Sequence, residues 1–282
     1  MNHPARILTI AFVLALLGLG AWHWRDAWWP ARAPAPVAGP VVVAPAAPAA
    51  PAPAASQPAV RHPIDAVAGA EAPEPAPSAP ATPPTVENAL ARLFGQELLA
   101  TMFQTDGFAQ RVVATVDNLG REKAPARLWP LHPPAGRFTA HKQGEGGAEV
   151  IAADNFVRYS RHLTLVEQVD LARVVALYKR FYPQFQQAYE ELGYPGRHFN
   201  DRVVEVIDLL LATPEAREPV PVRLPVIQGP MQPQRPWLLY EFAEPERQAM
   251  AAGPQLMMRM GPENQRRLKV RLMALRKLLT RT

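Results

Sequence analysis

The chain has 282 residues, 33 prolines, no cysteine and a formal net charge of +5. Without cysteine there are no disulfides, no thiolate metal ligands and no cysteine nucleophile. The charge is uneven: from Arg259 onward eight Arg and Lys face one Glu, so the basic balance belongs to one C-terminal segment and the remainder is slightly acidic.

The first element is "ILTIAFVLALLGLGAWHW", Ile7–Trp24, 18 residues whose only titratable side chain is His23. That is the lower limit for a spanning helix. Arg6 precedes it, and Trp22, Trp24, Trp28 and Trp29 follow where an interfacial aromatic belt would sit. A cleaved signal peptide is the rival reading, but a cut after Ala21 would put Leu19 at a position that prefers a small residue. The expectation is an uncleaved anchor over residues 1–29, inserted in a bacterial inner membrane through residues 7–24. Residues 30–85 hold 16 of the 33 prolines among Ala and Val, with few large side chains to bury. This composition predicts an extended, disordered tether, and a short N-terminus ahead of it favours a folded part in the periplasm.

The remaining stretch, residues 86–282, is long enough for one sizeable core. It predicts a mainly α domain with a few short strands or a small hairpin. "TVENALARLFGQELLATMF" reads as a first helix capped by Thr85, and "FAQRVVATVDNLGRE" as a second. "RFTAHKQGEGGAEVIA" alternates around a Gly-rich turn and predicts a hairpin. "NFVRYSRHLTLV" is a third helix. The longest helix is expected after Leu165, with Leu171, Val174, Val175, Leu177, Tyr178, Phe181, Tyr182, Phe185, Tyr189 and Leu192 on its apolar face and a kink at Pro183. Gly193 and Pro195 end it. Asn200 or Asp201 is expected to cap the next helix, which Thr213-Pro214 stops. "VPVRLPVIQ" and "PWLLYEFAE" read as extended. A C-terminal helix from Pro262 carries Leu268, Leu272, Leu275 and Leu279 as a narrow docking stripe.

Several polar residues depart from this helix grammar. Asp170 projects from the apolar side of its helix, which predicts either a first-turn acid paired with an Arg of another helix or a pKa-shifted acid in a cleft. Asp201, Glu205 and Asp208 share one helix face and need cations, with Arg158 and Arg161 as the candidates. Asp170, Arg158, Arg202 and the Asn200-Asp201 turn are expected to converge where three helices meet, walled by Tyr189 and Tyr194. Asn155, Tyr159 and Asp208 complete the list of ligand-binding candidates. Arg266, Arg267, Lys269, Arg271, Arg276 and Lys277 lie mostly off the leucine stripe, as a solvated face or a contact for anionic lipid head groups.

The segments "VATVDNL", "NFVRYSRHL", "AYEELGYP", "FNDRVVEVIDLLLATP" and "RMGPENQ", in that order, resemble a bacterial family, domain of unknown function 3014. The likeness covers most of the chain from about Val86. The family's "GQK" ahead of "RMG" stands here as "GPQLMMRMG", with Pro254. The resemblance implies a membrane-anchored envelope protein with a Pro/Ala linker and carries no catalytic residues. Metalloprotease, P-loop, dinucleotide-binding and serine-hydrolase motifs are absent from the sequence, and the seven His show no metal spacing. No metal, cofactor or nucleic-acid partner is expected. The expected function is a binding or scaffold module for an envelope protein or peptidoglycan. The alternative is a periplasmic hydrolase or lytic enzyme in which Asp170 and Asp201 or Asp208 act as paired carboxylates.

Overall fold

The computed structural model describes residues 59–67, 85–215, 219–226 and 233–280. The chain divides into two units, Met1–Ala55 and Ser56–Thr282, and every described residue belongs to the second. The expected span Ile7–Trp24 and most of the Pro/Ala run lie outside the described residues. Among the described residues no helix is long and apolar enough to cross a membrane.

The described part is mainly helical with two small antiparallel hairpins. Helices α1 (Val86–Phe94), α2 (Gln96–Met102) and α3 (Phe108–Leu119) come first, then strands β1 (Ala140–Lys142) and β2 (Glu149–Ile151). Five helices follow: α4 (Asp154–Arg158), α5 (Ser160–Gln168), α6 (Leu171–Arg180), α7 (Tyr182–Glu191) and α8 (Phe199–Ala212). Strands β3 (Val222–Arg223) and β4 (Glu241–Phe242) precede α9 (Pro245–Gln248), α10 (Ala252–Arg259) and α11 (Pro262–Leu279).

Three expected single helices are divided. The first breaks at Gly95, whose φ of 83° and ψ of 152° lie outside the helical region, and Thr85 caps α1 as expected by accepting from the Asn88 N–H. The third breaks at Tyr159 between α4 and α5. The helix expected to be the longest breaks at Phe181, because Pro183 has no N–H to continue the ladder and sits instead in the first turn of α7. Among the described residues the longest helix is α11, at 18 residues. The aromatic stripe survives the break. Phe181, Phe185 and Tyr189 are buried in one core with Phe199, Val113, Met102 and Leu90, while Leu192 is exposed at the helix end.

Helix α8 is central. It packs on α3 at one side and on α11 at the other, and α11 also lies against α5 and α6. Val204 and Ile207 meet Val175 and Leu279, with Leu272 and Leu275 beside them, and Val206 and Leu210 meet Met257, Met260 and Leu268. The leucine stripe of α11 therefore docks as its spacing predicted. The β1–β2 hairpin pairs Ala140 with Ile151, and an isolated bridge from Val150 to Pro221 brings the β3–β4 pair alongside it. Over these strands lies the "RMG" motif. Arg259 is held against the rings of Phe242 and Phe138, with its cation 5.0 and 5.7 Å from their centroids, and donates to the Tyr240 carbonyl at 2.8 Å. Gly261 has φ 85°, and a Cβ there would stand 2.6 Å from the Phe156 ring, so the motif is read by packing.

Part of the expected tether belongs to this fold. In the segment Ala59–Val67, Ile64–Ala66 forms one 3-10 turn and Val67 is buried at 2% exposure in the Val175–Val204–Ile207–Leu279 cluster.

Candidate functional site

The turn between α7 and α8 builds the site. Gly193 and Gly196 take φ of 110° and 72°, which a residue with a Cβ rarely adopts, and this folds the chain back on itself. Tyr194 then stacks on Tyr189, with centroids 4.5 Å apart and planes at 21°. Its hydroxyl reaches Asp117 of α3, donating at 3.1 Å to Oδ1. Asp117 lies on the buried side of α3 with Ala109 and Val113, and its residue is only 3% exposed.

Two arginines answer this buried carboxylate. Arg121 places Nε 2.8 Å from Oδ2 and also donates to the Tyr194 hydroxyl. The carboxylate, and next the tyrosine hydrogen bond, raise the Arg121 pKa above its ordinary value. Arg202 crosses from α8, donating from Nη2 to the Asp117 carbonyl at 3.0 Å and from Nη1 to Glu205 at 2.9 Å. Its Nε lies 3.3 Å from Asp117 Oδ1 but off the hydrogen-bond direction. Gly120 leaves room for this guanidinium, since a Cβ there would stand 2.5 Å from Arg202 Nη2.

The linker segment closes one side. Asp201 accepts from two successive backbone N–H groups, Arg61 at 3.1 Å and His62 at 2.7 Å. Asn200 is fully buried and donates to the His62 carbonyl at 3.0 Å, while its Oδ1 accepts from Tyr178. Neither residue caps α8: both lie inside that helix, and His198 is the cap position, with no side-chain cap bond. Together these groups surround a cleft of about 620 Å³, lined by Ala59, Arg61, Arg197 and His198 in addition to Asp117, Arg121, Tyr189, Tyr194, Asp201, Arg202 and Glu205. Burial raises the Tyr189 pKa, so its hydroxyl is neutral at neutral pH.

Of the ligand-binding candidates, Tyr189, Tyr194, Asp201 and Arg202 line this cleft, and Asn200 pins the segment beside it. The others go elsewhere. Asp170 does not meet Arg158 or Arg202. It is exposed, caps α6 by accepting from Ala172 and Arg173 N–H groups, and pairs with Arg173 of its own helix at 3.8 Å. The reason is local: the residue before the first turn has extended backbone, which carries its side chain back to the free N–H groups. Arg158 donates to the carbonyls of Ala135 and Gly136 and to Asn155, and so braces the loop before β1. Asn155 is fully buried and ties Thr139 to α4. Tyr159 packs on the Val206–Leu210–Met257–Met260 cluster, and burial raises its pKa.

The three carboxylates of α8 are answered by different groups from those expected. Asp201 takes backbone N–H groups, Glu205 takes Arg202 with Arg61 at 3.9 Å, and Asp208 takes both ends of the Arg276 fork. Arg161 bonds Thr101 instead. Asp170 and Asp208 are each engaged by a cation, and neither lines the cleft.

The residues that sequence reasoning missed are Asp117, Arg121, Arg197 and Arg61. A signal for the first two was present. Asp117 falls at the helical spacing of Ala109 and Val113 on the apolar stripe of α3, and Arg121 stands one turn on. Arg61 had none, because it sits within a compositionally biased run.

Among the described C-terminal cations, most are engaged by neighbouring groups. Arg267 grips Glu167 through two bonds of 2.7 Å, Arg266 bonds Glu263 and Glu215, Lys269 donates to the Thr213 carbonyl, Arg271 donates to the Val166 and Val169 carbonyls, and Arg276 takes Asp208. Lys277 is exposed. Among the described residues no group of three or more His, Asp or Glu is placed to hold a metal ion.

A family model described as "Protein of unknown function (DUF3014)" matches residues 108–276, from the first residue of α3 to Arg276 in α11. The chain belongs to the DUF3014 family. The matched span contains Asp117, Arg121, Tyr194, Arg197 and Arg202, so most of the cleft is built within the DUF3014 region, whereas Arg61 and its segment lie before it. No curated protein and no solved structure matches the chain.

Proposed function

We propose that this DUF3014 protein is a single-pass, membrane-anchored binding module whose domain stands in the periplasm and takes an anionic component of the cell envelope in the Tyr194 cleft. The anchor and tether rest on the Ile7–Trp24 run, its tryptophan belt and the Pro/Ala composition of residues 30–85. The observation that carries the binding reading is the balance of donors and acceptors in the cleft. Asp117, Asp201 and Glu205 are each engaged by groups of the protein itself. Arg197 stands over the Tyr194 ring at 5.8 Å with no carboxylate partner among the described residues, and the Arg61 side chain is 64% exposed with its nearest carboxylate at 3.9 Å. N–H donors therefore outnumber the acceptors left to meet them, beside a stacked pair of tyrosines. Carboxylates such as those of peptidoglycan stem peptides fit that chemistry, since a guanidinium fork matches a carboxylate with two parallel bonds.

Cosedimentation of the detergent-solubilised full chain with purified peptidoglycan tests the binding. Wild type is expected in the pellet with no fragments released, and Arg197→Ala with Arg61→Ala is expected in the supernatant. Wild type left in the supernatant overturns the reading, and released fragments replace it with an enzymatic one. Alkaline phosphatase and a cytoplasm-only fluorescent reporter, each fused after Ser56, test the topology. Phosphatase activity without fluorescence is expected, and the reverse overturns the orientation.

A further inference from the structure

We infer that the linker segment Ala59–Val67 is a working part of the cleft, so that anion binding and docking of the linker are one coupled equilibrium. The inference rests on the anion-binding reading of the cleft and adds its regulation. Three observations bring it out. The segment docks through backbone groups: the Arg61 and His62 N–H groups donate to the Asp201 carboxylate, and the His62 carbonyl accepts from buried Asn200. Its far end is anchored by Val67, buried with Val175, Val204 and Ile207 in a core that the cleft does not share. Its near end supplies Ala59 and the Arg61 side chain to the cleft wall. Docking uses the backbone of Arg61, so its guanidinium, 64% exposed and no nearer than 3.9 Å to Glu205, is held at the cleft without being consumed by the docking bonds.

The charge balance changes with docking. Undocked, the segment removes Arg61 and leaves the Asp201 carboxylate without the two N–H groups that donate to it, facing the same space an anion would enter. Docked, one cation is added and one acceptor is satisfied. An anion therefore favours the docked state, and by linkage docking raises anion affinity by the same factor. Docking also sets where the Pro/Ala run is attached. The 29 residues between Trp29 and Ala59 can span at most roughly 100 Å, against at most roughly 190 Å for the 55 residues between Trp29 and Thr85. A ligand that holds the segment would thus shorten the leash.

The experiment uses the full chain in detergent with two probes, citrate for carboxylate recognition and inorganic pyrophosphate for phosphate recognition. Calorimetry measures affinity, and amide hydrogen exchange is read at Arg61 and His62. Binding of one probe is expected, tighter for the class that the cleft serves, together with slower exchange at both amides by about tenfold or more at saturation. Arg61→Ala should weaken that probe by about tenfold, the scale of one charge-assisted hydrogen bond, with the two amides still protected in the free protein. Val67→Asp should expose those amides and weaken the probe at least as much. Because Val67→Asp can also disturb the core, Arg61→Ala, at a side chain that is 64% exposed, stands as the independent test. If neither probe binds wild type, the anion reading falls and this inference with it. If a probe binds but Arg61→Ala leaves affinity unchanged and the two amides exchange as before, the site stands and the coupling is wrong.

Discussion

The last helix and the Tyr194 cleft are both rich in arginine, and they use it in opposite ways. Helix α11 carries six Arg and Lys against one Glu, yet Arg266, Arg267, Arg271 and Arg276 each find a carboxylate or a backbone carbonyl on a neighbouring element. The cleft has fewer cations, but they converge from the linker, the turn after α3, the α7–α8 turn and α8 on carboxylates that are already engaged. Free positive potential is thus a difference between what an element carries and what its neighbours return, and α5 and α8 return acids to α11. The cleft also contains a node where the pairing is buried: Asp117 has a side chain 4% exposed and Arg202 one 16% exposed, whereas the Asp208–Arg276 pair is 46% and 40% exposed.

That contrast orders the expected effects. Asp117→Ala should be the most damaging, because it strips Arg202 of a buried counter-charge, and a loss of about 3 kcal/mol or more is expected in urea unfolding. If the loss is no larger than that of a surface pair, burial does not distinguish the two regions. Gly120→Ala sharpens the same point without altering charge. Its methyl would press on a guanidinium pinned by Asp117 and Glu205, and overpacking of this kind costs about 1–3 kcal/mol. Full stability in this variant would show that Arg202 is free to move. Asp170→Ala removes only a helix cap and should cost about 1 kcal/mol in thermal unfolding, with no loss of ligand binding; a loss several times larger would mean that the acid has a buried partner after all.

The smallest effect belongs to α11. The hydrogen bond from Arg276, helped by its charge and opposed by burial, holds the Asp208 carboxyl below its usual range. A depressed carboxylate contributes stability above its unfolded pKa, and that contribution fades as pH falls through the lower folded pKa. Asp208→Asn should therefore cost stability at neutral pH, under about 1 kcal/mol because solvent screens the pair. The difference from wild type should shrink in acid titrations monitored by circular dichroism. A difference that persists at pH below the carboxylate range would assign the effect to packing.

The amino-acid sequence determined by itself whatever depends on neighbours along the chain. Thr85 as a cap, the hairpin around the Gly-rich turn, the left-handed Gly193, the buried stripe of Phe181, Phe185 and Tyr189, and the docking leucines of α11 are local or periodic features, and they are legible because a helix or strand repeats its faces at fixed spacing. What depends on approach across space was decided only by the tertiary structure. Pro183 was expected to kink a helix and ends one, since the chain turns at Phe181 to keep both halves of the stripe on one core. The buried acid at the helix seam proved to be Asp117, because extended backbone at the N-cap turned Asp170 back onto its own helix. Arg61, some 140 residues from Asp201 in sequence, lies in a run whose composition gives no sign of docking, and it is placed by backbone hydrogen bonds that any residue type except proline could make. Such bonds leave no mark on the side-chain pattern, which is why the linker's part in the cleft is visible only in the folded chain.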